Sequence, residues 1–292
     1  MGFLRFAFIV FYQTTLTRLT AIVVASFLNV ADTSAETIRV LTYNTWGVPL
    51  TAWDTWRYEQ AMRAIEELNP DVVLLNEVFT RKGKRNFRSM HYPYQAEGPG
   101  PSPRLVGSGL KILSRFPILN RATLAYRACK GSDCLSRKGA ALAVLQLPSG
   151  KKLNLIGTHL DASGPASIRL SQLQQLEKFN STYADPTAPM ILAGDMNFRS
   201  GSDEHLHVQN RFGVADAWMQ THSASNAGYT YDCYENRYAR DYAIRTREPL
   251  IRERLDYFFT NPSVRTLRTE LQFKDEGNLF SDHYALMGEF EI

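Results

Sequence analysis

The chain of 292 residues carries 33 Lys+Arg against 29 Asp+Glu, a net charge of +4, with 44% apolar and 12% aromatic residues, 18 Gly and 13 Pro. That apolar share is ample for a core and the charge is too small to hold the chain open, which excludes a disordered, collagenous or coiled-coil protein. The longest apolar stretches lie before residue 31, and none reaches the roughly 20 uninterrupted residues of a membrane span, which excludes a polytopic membrane protein.

Met1 to Leu16 is rich in aromatic and apolar residues around Arg5, Arg18 follows, and a largely apolar run from Leu19 to Leu28 leads into small residues ending at Ala35. This pattern predicts a secretory signal peptide over residues 1–35, cut near Ala31 or Ala35, and hence an extracellular or periplasmic protein; the alternative is an uncleaved anchor. Residues 36–292 would then number 257, with 31 basic and 28 acidic side chains, a balance of +3. That is the size of one catalytic domain.

The first strand is expected over Thr37 to Tyr43, ending in Asn44-Thr45-Trp46-Gly47. Met62, Ile65 and Leu68 recur with helical spacing until Asn69-Pro70 stops the helix. Asp71 to Leu75 is apolar without alternation, the mark of a strand covered on both faces, and Glu77 falls just past its end. Further strands are expected at Gly109 to Ser114, Gly139 to Leu147, Lys152 to Thr158, Met190 to Ala193, Leu255 to Thr260 and Tyr284 to Glu289. Leu173, Leu176, Phe179 and Tyr183 mark one face of a helix of about 15 residues. Gly98 to Pro103 and Ser200 to Glu204 read as loops. The pattern is mixed α/β.

Of the three cysteines, Cys129 and Cys134 are placed to close a small ring, and Cys233 pairing with either of them stays open. Nothing has zinc spacing, and His205-Leu206-His207 reads as a solvated polar surface.

Asn44, Glu77, His159, Asp195 with Asn197, Asp256, and Asp282 with His283 each sit at or beside an apolar run, where separated segments can converge at one rim of a sheet. Taken singly, Glu77 reads as a turn residue, Asp195-Met196-Asn197 as an Asx turn, and His159 as a hydrogen-bonded core histidine. Together they point to chemistry. Carboxylate and amide oxygens without thiolate suit a hard cation such as Mg²⁺, with Mn²⁺ or Co²⁺ as substitutes. Two imidazoles beside the ion add a base and a phosphate-oxygen donor, the parts needed for in-line hydrolysis of a phosphate ester.

The strings Leu41 to Trp46, Pro70 to Phe79, Gly109 to Pro117, Gly157-Thr158-His159-Leu160, Gly194 to Phe198, Arg254-Leu255-Asp256-Tyr257 and Ser281-Asp282-His283 resemble those of the endonuclease/exonuclease/phosphatase superfamily, in its order. Asn76 to Phe79, Lys138-Gly139, Gly157 to Ala162 and Tyr229 to Asp232 look most like the neutral, secreted-type sphingomyelinases. The Tyr-Pro-Asn signature of abasic-site endonucleases and the Trp-rich string of inositol polyphosphate phosphatases are missing. His159 is shared with deoxyribonucleases and does not separate lipid from DNA.

The resemblance implies a four-layer α/β/β/α sandwich of two packed mixed β-sheets flanked by helices, as in deoxyribonuclease I. It implies a monomer acting at a phospholipid surface on sphingomyelin, released as ceramide and phosphocholine. It also implies roles: Glu77 holds Mg²⁺ with Asn44 near and Asp282 in the metal shell or its waters; His283 is the general base oriented by Asp256. Asp195 and Asn197 orient water and phosphate, and His159 binds the phosphate. Asp133, five residues before Lys138, would form the family's Asp–Lys switch; a solvated lysine at a strand start is the alternative.

Tyr229 to Glu253 departs from the family's exposed Trp and Phe hairpin: five tyrosines interleave with Arg237, Arg240, Arg245 and Arg247, without Trp. Such a loop suits headgroup-level membrane contact or, as an alternative, stacking on single-stranded nucleic acid by a secreted nuclease. A non-catalytic module on this fold would be expected to have lost at least one of Glu77, Asp195, Asn197, Asp256 and His283, all retained here.

Overall fold

Strand pairing in the computed structural model, which describes residues 35–47 and 55–292, follows the apolar runs closely. The expected signal segment lies outside the described residues except for Ala35. Thr33–Ile292 forms one compact unit.

The first half of the chain supplies β1 (Thr37–Asn44), α1 (Thr55–Leu68), β2 (Val72–Asn76), α2 (Arg81–Arg88), β3 (Tyr94–Glu97) and β4 (Lys111–Ser114), then β5 (Ile118–Ala125), β6 (Gly139–Gln146) and β7 (Lys152–His159). The second half supplies α3 (Ala166–Tyr183), β8 (Met190–Asp195), α4 (Asp203–Phe212), β9 (Ala215–Asp216), α5 (Ala217–Thr221), β10 (Tyr231–Asp232), α6 (Arg237–Thr246), β11 (Arg252–Glu253), β12 (Asp256–Thr260), β13 (Arg265–Gln272) and β14 (Ala285–Glu291). One mixed sheet runs β13-β14-β1-β2-β4-β3, the other β5-β6-β7-β8-β12-β9, and β10 with β11 makes a small ribbon.

Alternation along each strand sorts the layers. Val40, Val72, Leu74, Ile112 and Leu286 of the first sheet meet Ala141, Ala143, Leu155, Ile191 and Phe258 of the second in the central core. The opposite faces are covered too. Leu41, Val73, Leu75 and Leu113 pack under Tyr58, Ala61 and Ile65 of α1 and Phe87 of α2. Leu142, Ile156, Leu192 and Phe259 pack under Leu173, Leu176 and Phe179 of α3 and Val208 of α4. The four layers are therefore α/β/β/α. Strands buried on both faces read as unbroken apolar runs, which is why the central ones are recognisable from sequence.

The edge strands are not. β3, β5 and β13 are half exposed and polar, as edges that must resist pairing with other chains usually are. Three local expectations are corrected. Ser200 to Glu204 is not all loop, because the Ser202 hydroxyl accepts the His205 N–H and starts α4 at Asp203. Consequently His205 is not on a solvated surface: it is buried on α4 with Nε2 2.9 Å from Asp216 Oδ2. The Tyr229 to Glu253 stretch likewise is not one loop, because it holds the ribbon and α6. Its composition concealed this, because α6 buries only Ala239 and Ala243. Among the described residues no helix is long and apolar enough to cross a membrane.

Candidate active site

Sheet register aligns the polar strand ends. In the second sheet Gly139 pairs with His159, His159 with Asp195, and Asp195 with Asp256, so the row crosses four adjacent strands. In the first sheet Asn44 pairs with Asn76, next to Glu77. Asn76 Nδ2 donates to the Thr158 carbonyl at 2.9 Å and Asn44 Nδ2 to Asp195 Oδ2 at 2.9 Å, tying the two sheets together at this rim. The backbone turns sharply here. Trp46, Glu77 and Asn197 all have left-handed φ of 47°, 60° and 50°, a conformation costing a non-glycine residue roughly 1–2 kcal/mol. Gly194, at φ 130°, admits the Thr158 carbonyl 2.0 Å from where a Cβ would stand.

His283 and Asp256 form the central pair. His283 Nδ1 lies 2.7 Å from Asp256 Oδ2, so Nδ1–H donates to the carboxylate and leaves Nε2 facing Asp195 Oδ2 at 3.9 Å. The Thr230 hydroxyl oxygen accepts the N–H groups of Leu255 and Asp256 and holds this strand start in place. Ser281 donates to the Asn44 carbonyl at 2.7 Å, docking the Asp282-His283 turn on β1.

Opposite this pair, Lys138 uses its three N–H groups fully. Nζ reaches Asp133 Oδ1 at 3.0 Å, His159 Nε2 at 3.0 Å and the Leu160 carbonyl at 2.7 Å. The disulfide Cys129–Cys134 closes the segment carrying Asp133 and leaves Cys233 as a buried thiol. Asp133 Oδ2 also accepts from Ala162 N, and Asn197 Nδ2 donates to the Leu160 carbonyl. His159 Nε2 is 3.5 Å from Asp195 and 3.9 Å from Glu77 Oε1. The structure thus gathers Asn44, Glu77, Asp133, Lys138, His159, Asp195, Asn197, Asp256, Asp282 and His283 at one rim.

The charges in this pocket do not balance. Glu77, Asp133, Asp195, Asp256 and Asp282 face Lys138, two imidazoles and, at Asp282, the Arg57 guanidinium. Burial, and secondarily Asp282, pushes the Glu77 carboxyl up to about 8. Burial raises Asp195 to about 6, with Asp256 adding to it and His283 opposing. Asp282 is also raised by burial. Burial lowers His159 well below the usual imidazole range, with Lys138 and His283 acting in the same sense. His283 goes the other way: burial opposes its charge, but Asp256, Asp195 and Asp282 push it up to about 10.

Buried Glu77 Oε2 and Asp256 Oδ1 have no hydrogen-bond partner among the described residues. Orphaned, mutually repelling carboxylate oxygens beside amide oxygen fit a hard divalent cation. The ligand atoms of Asp195, Asp256 and His283 all lie within 4.8 Å of one another, with the Asp256–His283 hydrogen bond inside that group. Beyond that hydrogen bond, one oxygen of Glu77 and one of Asp256 are without a partner among the described residues.

Asn76, Thr230 and Ser281 are site-building residues that polarity at strand ends did not single out. Their work is backbone bonding across sheets, which leaves no periodic signal.

An Inositol phosphosphingolipids phospholipase C of Schizosaccharomyces pombe is 26% identical over 287 residues, covering 86% of this chain and 68% of that protein. A Sphingomyelinase C of Leptospira interrogans is 29% identical over 295 residues, covering 86% of this chain, which spans only 51% of that relative. Among solved structures, a Staphylococcus aureus beta toxin mutant with bound magnesium ions superposes with a TM-score of 0.69 at 22% identity, over 87% of this chain and 99% of the toxin. That likeness speaks to the shared sandwich. A profile of the Endonuclease/Exonuclease/phosphatase family matches residues 41–283, from β1 to the His283 that Asp256 holds. The match spans both sheets and the whole rim between them, and the chain belongs to that family.

Proposed function

We propose that the protein is a divalent-cation-dependent phosphodiesterase that hydrolyses sphingomyelin to ceramide and phosphocholine, with Mg²⁺ as the ion. The observation that carries this reading is the Asp256-held His283 facing a buried, partly unpartnered carboxylate cluster. The phospholipase C and sphingomyelinase relatives support the lipid diester as substrate. Action outside the cytoplasm is supported by the Cys129–Cys134 disulfide and by the N-terminal pattern.

His283 Nε2 takes the proton from the attacking water, while Asp256 fixes the tautomer and stabilises the imidazolium that forms. Asp195, held by Asn44 and by the Asn197 N–H, orients that water. His159, neutral because it is buried beside Lys138, accepts from the Lys138 ammonium, whose charge places positive potential toward the phosphate oxygens. Glu77, with Asn44 and Asp282 near, would hold the cation, which supplies a Lewis acid for the phosphate and the leaving oxygen. The five tyrosines do not favour a nuclease. Tyr231 packs on His283, Tyr238 and Tyr242 on Trp46, and Tyr229 lies under Arg252.

The direct test incubates the purified protein with sphingomyelin, phosphatidylcholine, a phosphoinositide and plasmid DNA, with Mg²⁺ or EDTA. Mg²⁺-dependent phosphocholine release from sphingomyelin is expected. Intact sphingomyelin beside nicked plasmid would replace the lipid reading by the nuclease one.

Metal uptake should also displace protons. With Glu77 near 8 and His283 near 10 in the cation-free site, binding at neutral pH should acidify a weakly buffered solution, and affinity should rise with pH. Glu77→Gln should weaken Mg²⁺ binding roughly 10–100-fold in calorimetry, at the scale of lost support at metal sites, and reduce the proton release. An unchanged titration would put the ion elsewhere.

A further inference from the structure

Leu105 is 77% exposed and Leu135 54% exposed, yet neither lies on a loose loop. The Leu105 and Val106 N–H groups both donate to the Leu135 carbonyl at 3.0 and 3.2 Å, and the Arg137 N–H returns to the Val106 carbonyl. Arg104 Nη1 donates to the Cys134 carbonyl, and the Cys129–Cys134 disulfide crosslinks the base. Two large exposed apolar side chains are thus carried on hydrogen-bonded, crosslinked backbone segments that form a stiff knob. Holding them in water costs the hydrophobic free energy of both.

The position of the knob matters. Its Asp133 grips Lys138, which touches His159, so the segment that carries Leu135 adjoins the active site. Arg104, Lys130 and Arg137 accompany them. The knob's one acid, Asp133, is taken up by Lys138 and the N–H groups of Ala162 and Ser163. In the tyrosine-rich segment Tyr231 is buried, Tyr229, Tyr238 and Tyr242 are half-buried, and Tyr234 alone is exposed among the five.

We infer that the Leu105/Leu135 knob is the lipid-docking element of the protein. The leucines enter the acyl boundary, the basic residues meet the phosphate layer, and the adjoining site opens onto the headgroups. This rests on the lipid diester reading above. A rigid apolar tip on segments that also carry Arg104, Lys130 and Arg137 fits a bilayer surface, whose phosphates and acyl chains offer both complements at the same depth.

The test uses the full protein with the pair Leu105→Glu and Leu135→Glu, and a second pair, Leu105→Ser and Leu135→Ser, that adds no charge. Sedimentation with vesicles of phosphatidylcholine and sphingomyelin, with and without phosphatidylserine, reads docking. Hydrolysis of bis(p-nitrophenyl) phosphate reads the site alone. Both pairs should bind vesicles at least roughly tenfold more weakly, as expected for apolar side chains withheld from lipid, with hydrolysis of vesicle sphingomyelin falling in parallel. The soluble diester should be cleaved at the wild-type rate.

Variants that sediment like wild type overturn the inference. So does a leucine-dependent dimer in gel filtration without vesicle binding, which makes the knob a protein contact. Leucine-dependent vesicle binding by a protein that cleaves neither diester sustains the docking surface while removing the enzymatic reading beneath it.

Discussion

Replacing His283 by Ala should lower turnover on sphingomyelin by roughly 10²–10⁴-fold, the usual share of a positioned general base. The imidazole is the basic group with a buried carboxylate 2.7 Å behind it and a ring nitrogen turned into the pocket. Asp256→Asn should cost nearly as much, because an amide oxygen still accepts from Nδ1–H but no longer stabilises the imidazolium. The sign of the pH dependence follows from the same pair. A base must be unprotonated, so the wild-type rate should rise with pH as His283 loses its proton, and this limb should vanish in His283→Ala. Single-turnover rates from pH 5 to 10, with circular dichroism to verify folding, make the measurement. A residual rate within tenfold of wild type, with the acid limb intact, would move the base to another residue.

Asp216→Ala should cost roughly 3–5 kcal/mol of stability, the scale for breaking a buried ion pair by removing one partner. Both Asp216 oxygens accept from Arg254 Nη1 at 2.7 and 2.8 Å, His205 Nε2 lies 2.9 Å away, and the N–H of Trp218 donates to Oδ1. Deleting the carboxylate strands a guanidinium whose side chain is 4% exposed. It also uncaps α5, worth about 1 kcal/mol more. At roughly 2–4 °C per kcal/mol for a domain of this size, Tm should drop by about 10 °C or more.

The pH dependence separates charge from shape. Burial works against the Asp216 charge, but His205 and Arg254 outweigh it and hold the pKa below its ordinary 3.8. The folded state therefore gains stability that is fully present above the unfolded value and is lost as pH falls through the lowered folded pKa. Urea titrations between pH 5 and 3 should show a shallower acid loss in Asp216→Asn than in wild type. Equal slopes, or a loss in Asp216→Ala below about 1 kcal/mol, would mean that Arg254 is compensated elsewhere.

The strands that the apolar runs announce are those with both faces covered: β2, β7 and β8 differ from expectation only at their ends. The polar residues at or just past their ends were equally visible, since Glu77, His159 and Asp195 interrupt otherwise apolar surroundings. What stayed hidden lies where pattern carries no burial signal. β3, β5 and β13 look like loops because an edge strand keeps a polar row toward solvent. His205 looked solvated because its neighbours are polar or exposed, and only α4 packing beside Asp216 reveals a buried charge network.

The amino-acid sequence by itself determined that this chain folds as a mixed α/β enzyme-sized unit and which side chains terminate its strands, because burial periodicity and strand-end polarity are local properties. Tertiary structure alone decided which of those ends share a rim. Register across β6, β7, β8 and β12 is set by long-range pairing that no local window contains. It also decided the protonation landscape, since burial and the neighbouring carboxylates together raise Glu77, whereas at His283 the carboxylates outweigh an opposing burial.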